Sequence, residues 1–293
     1  MRFAWIAVLF LPSMPLVPVV EGQAPEPAHE LVREVVYNEL HDHQLHGYWR
    51  YWIEREAQGL SRLEEQVETV DGPLTRLLAK SGRPLSAAEQ ESEQQRLERL
   101  LGSPQEQARR RQDYADDETR ISRILALLPE AFLYAYAGED QGSIHLRFRP
   151  NPDYPPHSIE ARIFHAMRGE LWIDSRAKRL VRLDGRLEEN VDFGYGILGR
   201  LYEGGWFRLE RTQVSSAEWK TVRLEIHMSG RAFLLKTIAR ETSEVRGGFA
   251  PVPPGLSLAN ALQLLAPLEA KATPPRARPP LGSAAPRLLA ARP

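Results

Sequence analysis

Few residues in this chain have the type and spacing that chemistry needs. Gly194, Gly196 and Gly199, in the stretch FGYGILGRLYEGG, stand at G-x-G-x-x-G, the spacing of a loop that cradles a pyrophosphate. Such a loop requires a strand before it and a helix opening at its end, whose first amides meet the phosphate. Only Arg200-Leu201-Tyr202-Glu203 separate Gly199 from Gly204-Gly205, and a strand-like alternation resumes at Trp206. No helix fits in that interval. The glycines are expected to bend or bulge a β-sheet, and no cofactor is expected.

His41 and His43, in HDHQLH, would share a face if extended and could chelate zinc, copper or nickel with a further ligand. No second cluster completes such a site, and the stretch reads more simply as a polar helix end. His29-Glu30-Leu31-Val32-Arg33 lacks the second histidine of H-E-x-x-H. There is no G-x-S-x-G elbow, and no S-x-x-K with a K-T-G, to nominate one serine as a nucleophile. Carboxylate pairs such as Glu64-Glu65, Asp116-Asp117-Glu118 and Glu188-Glu189 lie in charged runs, where solvated faces explain them. Arg109-Arg110-Arg111 sits among acids without interleaved aromatics, so nucleic acid is not an expected partner. No catalytic residue emerges, and the chain is not expected to be an enzyme.

The elements that would position a site are clearer. ELVREVVYNEL puts Leu31, Val32, Val35, Val36 and Leu40 on one stripe of a helix over 30–40. YWRYWIE and LSRLEEQVETV, around Gln58-Gly59, predict an antiparallel hairpin. Ser86-x-x-Glu89 and Ser103-Pro104-x-Glu106 cap helices over 87–101 and 104–128, stopped by Pro129. Their charge suggests a lid or appendage. From Ser143 the period becomes two. In KTVRLEIHM, Val222, Leu224, Ile226 and Met228 oppose Thr221, Arg223, Glu225 and His227. Such strands form an antiparallel meander with one wet face.

The chain has 293 residues, formal net charge −1 and no cysteine. Disulfides, thiolate ligands and Cys nucleophiles are thereby excluded, and nothing attracts the chain in bulk to polyanions. Arg2 precedes an apolar run from Phe3 to Val20, interrupted by Pro12, Pro15 and Pro18, and then Glu21-Gly22-Gln23-Ala24. That is a secretory signal layout with cleavage expected after Gly22, and the prolines argue against an uncleaved anchor. No later segment is apolar over a spanning length, so the mature chain is expected to carry no transmembrane segment. The predicted organisation is a signal peptide over 1–22, a single α+β domain over 23–270 with a helical insertion at about 86–128, and a Pro/Ala/Arg-rich disordered tail over 271–293.

The aromatic hairpin and the later pieces GELWID, KRLVRLDGRL, FGYGILGRLYEGGWFRLE and EWKTVRLEIHMSGRAFLLKTI resemble the exported half-barrel proteins of the LolA, LolB and RseB type. NPDYPPHSIEARIFHAMRGELWID and GILGRLYEGGWF are also similar to pieces of a family of secreted bacterial proteins. The first resemblance implies an unclosed antiparallel barrel wrapped around helices and cradling lipid or lipoprotein acyl chains, in the periplasm or outside the cell. The charged helical insertion departs from that pattern, and no carrier residue transfers to a position here. On this reading a hydrophobic small molecule or a lipidated protein is the expected partner, held in a cleft lined by Tyr48, Trp52, Trp172, Trp206, Phe207, Leu224 and Ile226. An envelope protein–protein module and an enzyme of unknown reaction remain as alternatives.

Overall fold

The computed structural model describes residues 26–41, 47–193, 199–232 and 236–265. The expected signal peptide over 1–22, His43, Gly194, Gly196 and the expected tail over 271–293 lie outside them. The chain begins with helix α1 (Ala28–His41), then the strands β1 (Tyr48–Ala57), β2 (Leu60–Val67), β3 (Leu74–Lys80) and β4 (Arg83–Pro84). Helices α2 (Ala87–Gly102) and α3 (Pro104–Ala131) follow, then β5 (Phe132–Asp140), β6 (Ser143–Pro150), α4 (Ile159–His165), β7 (Met167–Asp174) and β8 (Leu180–Leu187). The remainder is β9 (Val191–Phe193), β10 (Gly199–Leu201), β11 (Trp206–Gln213), β12 (Trp219–Ala232), β13 (Lys236–Val252) and α5 (Leu258–Leu264).

The strands form one 13-stranded sheet in the order β4-β3-β2-β1-β13-β12-β11-β8-β7-β6-β5, with β10 pairing β12 and β9. Every ladder among the described residues is antiparallel, and β4 does not return to β5, so the fold is an α+β protein with an open sheet, as the sequence predicts. The hairpin turn at Gln58 (φ 52) and Gly59 (φ 75) has the left-handed pair that joins tightly twisted strands. Its two strands do not stand alone: β1 lies against β13, the last strand, from Tyr48↔Val252 to Ala57↔Thr242. Gly199, the member of the glycine motif that is described, is buried in β10 opposite Phe193 and Ala232. It serves a strand, as its flanks imply.

Two helices cover the inner face. The apolar stripe of α1 is buried as predicted: Leu31, Val32, Val35 and Val36 pack with Phe132, Leu146, Phe148, Leu171, Ile173 and Leu187 of β5 to β8. Each fully buried side chain of this kind contributes about 1.5–3 kcal/mol. Helix α3 contacts α1, and its last turns reach this core through the buried Ala131 and the partly buried Leu125 and Leu128. It does not stop before Pro129 but runs to Ala131. A proline in the last turn removes one hydrogen bond from a helix that is ending anyway, and Tyr134 donates to the Leu128 carbonyl at 2.7 Å. A second cluster joins α2 and α5 to β2 and β3 through Leu97, Leu100, Leu258, Val67 and Leu74.

Close backbone approach across β7 and β8 tests this register. A Cβ on Gly169 would lie 1.9 Å from the Asp184 carbonyl oxygen and 2.6 Å from the Phe148 ring, whereas a Cβ on Gly102 would meet nothing. Gly169→Ala is expected to lose several kcal/mol in urea unfolding, and Gly102→Ala to be neutral or gain about 0.5–1 kcal/mol. Equal effects would contradict the register.

Candidate ligand site

Where α1 fills the β5–β8 half of the inner face, the other half is spanned by α3 alone, and a cavity of about 590 Å³ remains beneath it. The roof is one stripe of α3: Tyr114, Glu118, Ile121 and Leu125, spaced to lie on one face of the helix. From Tyr114 to Leu125 the helical rise gives a roof of roughly 17 Å. The walls are Tyr48, Tyr51, Gln66 and Glu68 from the β1–β2 side, and Trp219, Lys220, Thr221, Arg246 and Phe249 from β12 and β13. Val70 and Pro73, in the β2–β3 turn, lie at one end; Glu39, Leu180, Leu209 and Arg211 line the rest.

Local chemistry explains why α3 stays above the sheet. Its N-terminal half is tied to the β2–β3 turn: Arg110 donates to the Pro73 carbonyl at 2.7 Å, and Arg111 lies 3.7 Å from Asp71. The Tyr114 ring rests on Gly72, whose φ of +91° suits glycine and whose Cβ, if present, would lie 3.2 Å from that side chain. At the other end Arg33 of α1 donates to Glu130 at 2.7 Å. Between these anchors the stripe is thin. Tyr114 and Ile121 are 41% and 48% exposed and Val70 is 54% exposed, so the large apolar groups that stay wet here gather around the cavity.

The floor is held by charge. Glu39, buried at the end of α1, accepts from Arg179 Nε at 3.0 Å, from Arg179 Nη2 at 3.1 Å and from the Leu180 amide at 3.1 Å. Arg211 of β11 also donates to Glu39, and its Nη2 donates to the Trp219 carbonyl at 2.8 Å. Lys220 Nζ sits 3.0 Å from both oxygens of Glu68. Gln66 donates to the Tyr51 hydroxyl. Burial first, and then the Glu68 carboxylate, raise the Tyr51 pKa. Burial, followed by Glu118 and Glu68, pushes Tyr114 up to about 12. These hydroxyls are therefore protonated donors at any neutral pH.

Of the residues expected to line a cleft, the structure brings only Tyr48 to this cavity. Trp172 is on the opposite face, because alternation sends Leu171 and Ile173 into the core; its ring stacks on His145 at 4.6 Å with Arg182 over it at 4.5 Å. Trp52 likewise leaves the inner face to Tyr51 and Ile53 and covers Gly247 and Gly248, where Gly248 (φ +69) marks a bulge in β13. Trp206 is 38% exposed and stacks on His227. Phe207 packs onto Gly185 and the main core. Leu224 and Ile226 pair with Leu209 and Phe207 and do not line the cavity. His41 is exposed, stacks on Tyr37 at 3.8 Å and uses Nδ1 on the Tyr37 carbonyl at 2.8 Å. No cluster of three or more His, Asp or Glu positioned for a metal occurs among the described residues. Tyr51, Tyr114, Arg211, Trp219 and Phe249 were not singled out for the site by sequence. The signal for Tyr114 was its place on the α3 stripe with Ile121 and Leu125.

Two measurements test this geometry. Glu39→Ala leaves buried guanidinium charge without its carboxylate and is expected to cost about 3–5 kcal/mol in denaturant unfolding; a loss below about 1 kcal/mol contradicts the buried pairing. For Tyr114, the folded-state pKa of about 12 exceeds its ordinary 10.0, so the unfolded chain ionises first and stability falls as pH rises between them. Tyr114→Phe should flatten that part of the pH–stability profile.

No family model matches the chain, and no curated protein matches it. Among solved structures it is similar to a DUF1329 family protein from Desulfovibrio piger ATCC 29098, at 10% identity over 78% of this chain and 95% of that one, with a TM-score of 0.25. It is also similar to MucB, solved in complex with MucA(peri), at 11% identity over 80% of this chain and 96% of that one, with a TM-score of 0.22. The open sheet itself rests on the strand pairing described above, and what MucB binds is a property of MucB.

Proposed function

We propose that this is an exported protein that binds an amphipathic ligand, with an apolar body and a polar head, in the cavity beneath α3. The observation that carries the reading is the cavity itself, about 590 Å³ between an open sheet and a helix anchored at its ends. That volume falls within the ~300–1,000 Å³ of small-molecule sites, and its lining combines aromatic and aliphatic walls with charged and polar side chains. Tyr51, Tyr114, Trp219, Phe249, Ile121 and Leu125 supply apolar surface, and the protonated tyrosine hydroxyls supply donors. The purely apolar cleft of an acyl-chain carrier is not what lines this space, since Glu39, Glu68, Arg211, Lys220 and Arg246 face it too. Export rests on the N-terminal signal layout. No helix among the described residues is long and apolar enough to cross a membrane.

An envelope docking module has weaker support. The free edge strand β5 exposes Leu133 and Tyr136, but a register shift between Tyr136 and Gly138 and the terminal Glu139-Asp140 discourage another strand from adding there. For an enzyme, the carboxylates Glu39 and Glu68 are already engaged by Arg179, Arg211 and Lys220, the arrangement of a supporting wall.

The test is titration with N-phenyl-1-naphthylamine, an uncharged probe that fluoresces in apolar surroundings. Saturable binding with one site per chain is expected. Ile121→Arg, at an exposed position, should weaken it by about tenfold without changing the melting temperature by more than a few degrees. Absence of saturable binding, or binding indifferent to Ile121→Arg, would overturn the assignment.

A further inference from the structure

The cations facing the cavity differ in how their charge is met. Lys220 lies 3.0 Å from each oxygen of Glu68, which also accepts from the Trp49 amide at 3.2 Å. Arg246 donates to Glu244 at 2.8 Å; Arg55 shares that carboxylate at 3.0 Å and has Glu64 as a second partner at 2.6 Å. Arg211 likewise shares its carboxylate with a second arginine. Its carboxylate is Glu39, whose two oxygens already accept from Arg179 and from the Leu180 amide. Its remaining contact is the neutral Trp219 carbonyl. A guanidinium carries five N–H donors, so Arg211 keeps donor capacity while lining the cavity with only 12% of its side chain exposed. A cation that shares its carboxylate and is largely removed from water is stabilised by any anion that reaches it.

Carboxylates also line the other end, where Lys220 pairs with Glu68. Glu118 and Glu68 act on the Tyr114 hydroxyl together with Tyr48, which places those carboxylates around Tyr114, beside the β2–β3 turn. Arg211 instead lies with Glu39, Leu180 and Leu209, where α1, β8 and β11 meet.

Resting on the ligand site proposed above, we infer that the deep end of the cavity is an anion subsite, where Arg211 receives the carboxylate or phosphate head of an amphiphile whose apolar body lies under Ile121 and Leu125. The head meets spare guanidinium N–H groups, and the body covers aromatic and aliphatic wall that is otherwise wet. No bond is made or broken.

The experiment uses the full chain and calorimetric titration below the micellar concentration. The probes are dodecanoate, dodecyl phosphate, dodecanol, dodecyltrimethylammonium and inorganic phosphate. Dodecanoate and dodecyl phosphate are expected to bind at least about tenfold more tightly than dodecanol, with dodecyltrimethylammonium weakest. Arg211→Gln should remove the preference for the anionic heads and leave dodecanol affinity within about threefold. If that variant does not fold, the head-group comparison on the unmodified chain, with Arg211→Lys retaining the preference, decides the matter. Equal binding of dodecanoate and dodecanol overturns the anion subsite while leaving the ligand site intact. No binding of any dodecyl probe overturns both. Displacement of dodecanoate by micromolar inorganic phosphate would identify a free anion as the occupant and overturn the amphiphile.

Discussion

The buried carboxylate of Glu39 decides how the inner face of this sheet is shared out. By accepting from Arg179, Arg211 and the Leu180 amide, it fixes the end of α1 where β8 and β11 meet. The stripe of α1 is thereby committed to β5 through β8, where Leu31 and Ile173 are fully buried. The cavity opens instead along β12, β13 and β1. That half of the sheet is left to α3, whose face toward it carries Tyr114, Ile121 and Leu125 with Glu118 between them. A single helix with so narrow an apolar stripe cannot fill the space under it, and a cavity lined partly by polar groups follows.

Polarity then sets what the cavity can hold. An open sheet of this kind could have enclosed a dry slot, yet each strand that reaches the cavity from the β12–β13 side brings a cation with it: Lys220 and Arg246, with Arg211 from β11. Pairing with Glu68 and Glu244 lowers the cost of placing two of them there. Tyrosines complete the wall, apolar along the ring and hydrogen-bonding at the hydroxyl. Ligands with both characters fit this lining better than a bare hydrocarbon does.

Local elements were legible in the sequence because local chemistry determines them. The stripe of α1, the Gln58-Gly59 turn and the Ser86–Glu89 capping box all appear where pattern and turn chemistry place them. Gly199, the member of the glycine motif among the described residues, is paired in β10, as its flanks imply. What could not be read is set by long-range pairing. Alternation shows that Trp172 and Leu171 face opposite ways but not which way is inward, and the core's choice of Leu171 and Ile173 sends Trp172 outside. Trp52 is covered by a bulge in β13, a strand that closes against β1 only after the whole chain has been laid down. Glu39 and Arg211 looked like ordinary polar-face residues; only the meeting of α1 with β8 and β11 makes them a buried pair.

The central claim is that α3 roofs a ligand space, whereas α1 is packed core. Hydrogen–deuterium exchange resolved by segment tests it most directly. In the ligand-free protein the amides of 114–125 should exchange much faster than those of 31–36, and saturating N-phenyl-1-naphthylamine should slow the former while leaving the latter unchanged. If 114–125 are as protected as 31–36 without ligand, and the probe changes neither, α3 is a core helix and the account is wrong.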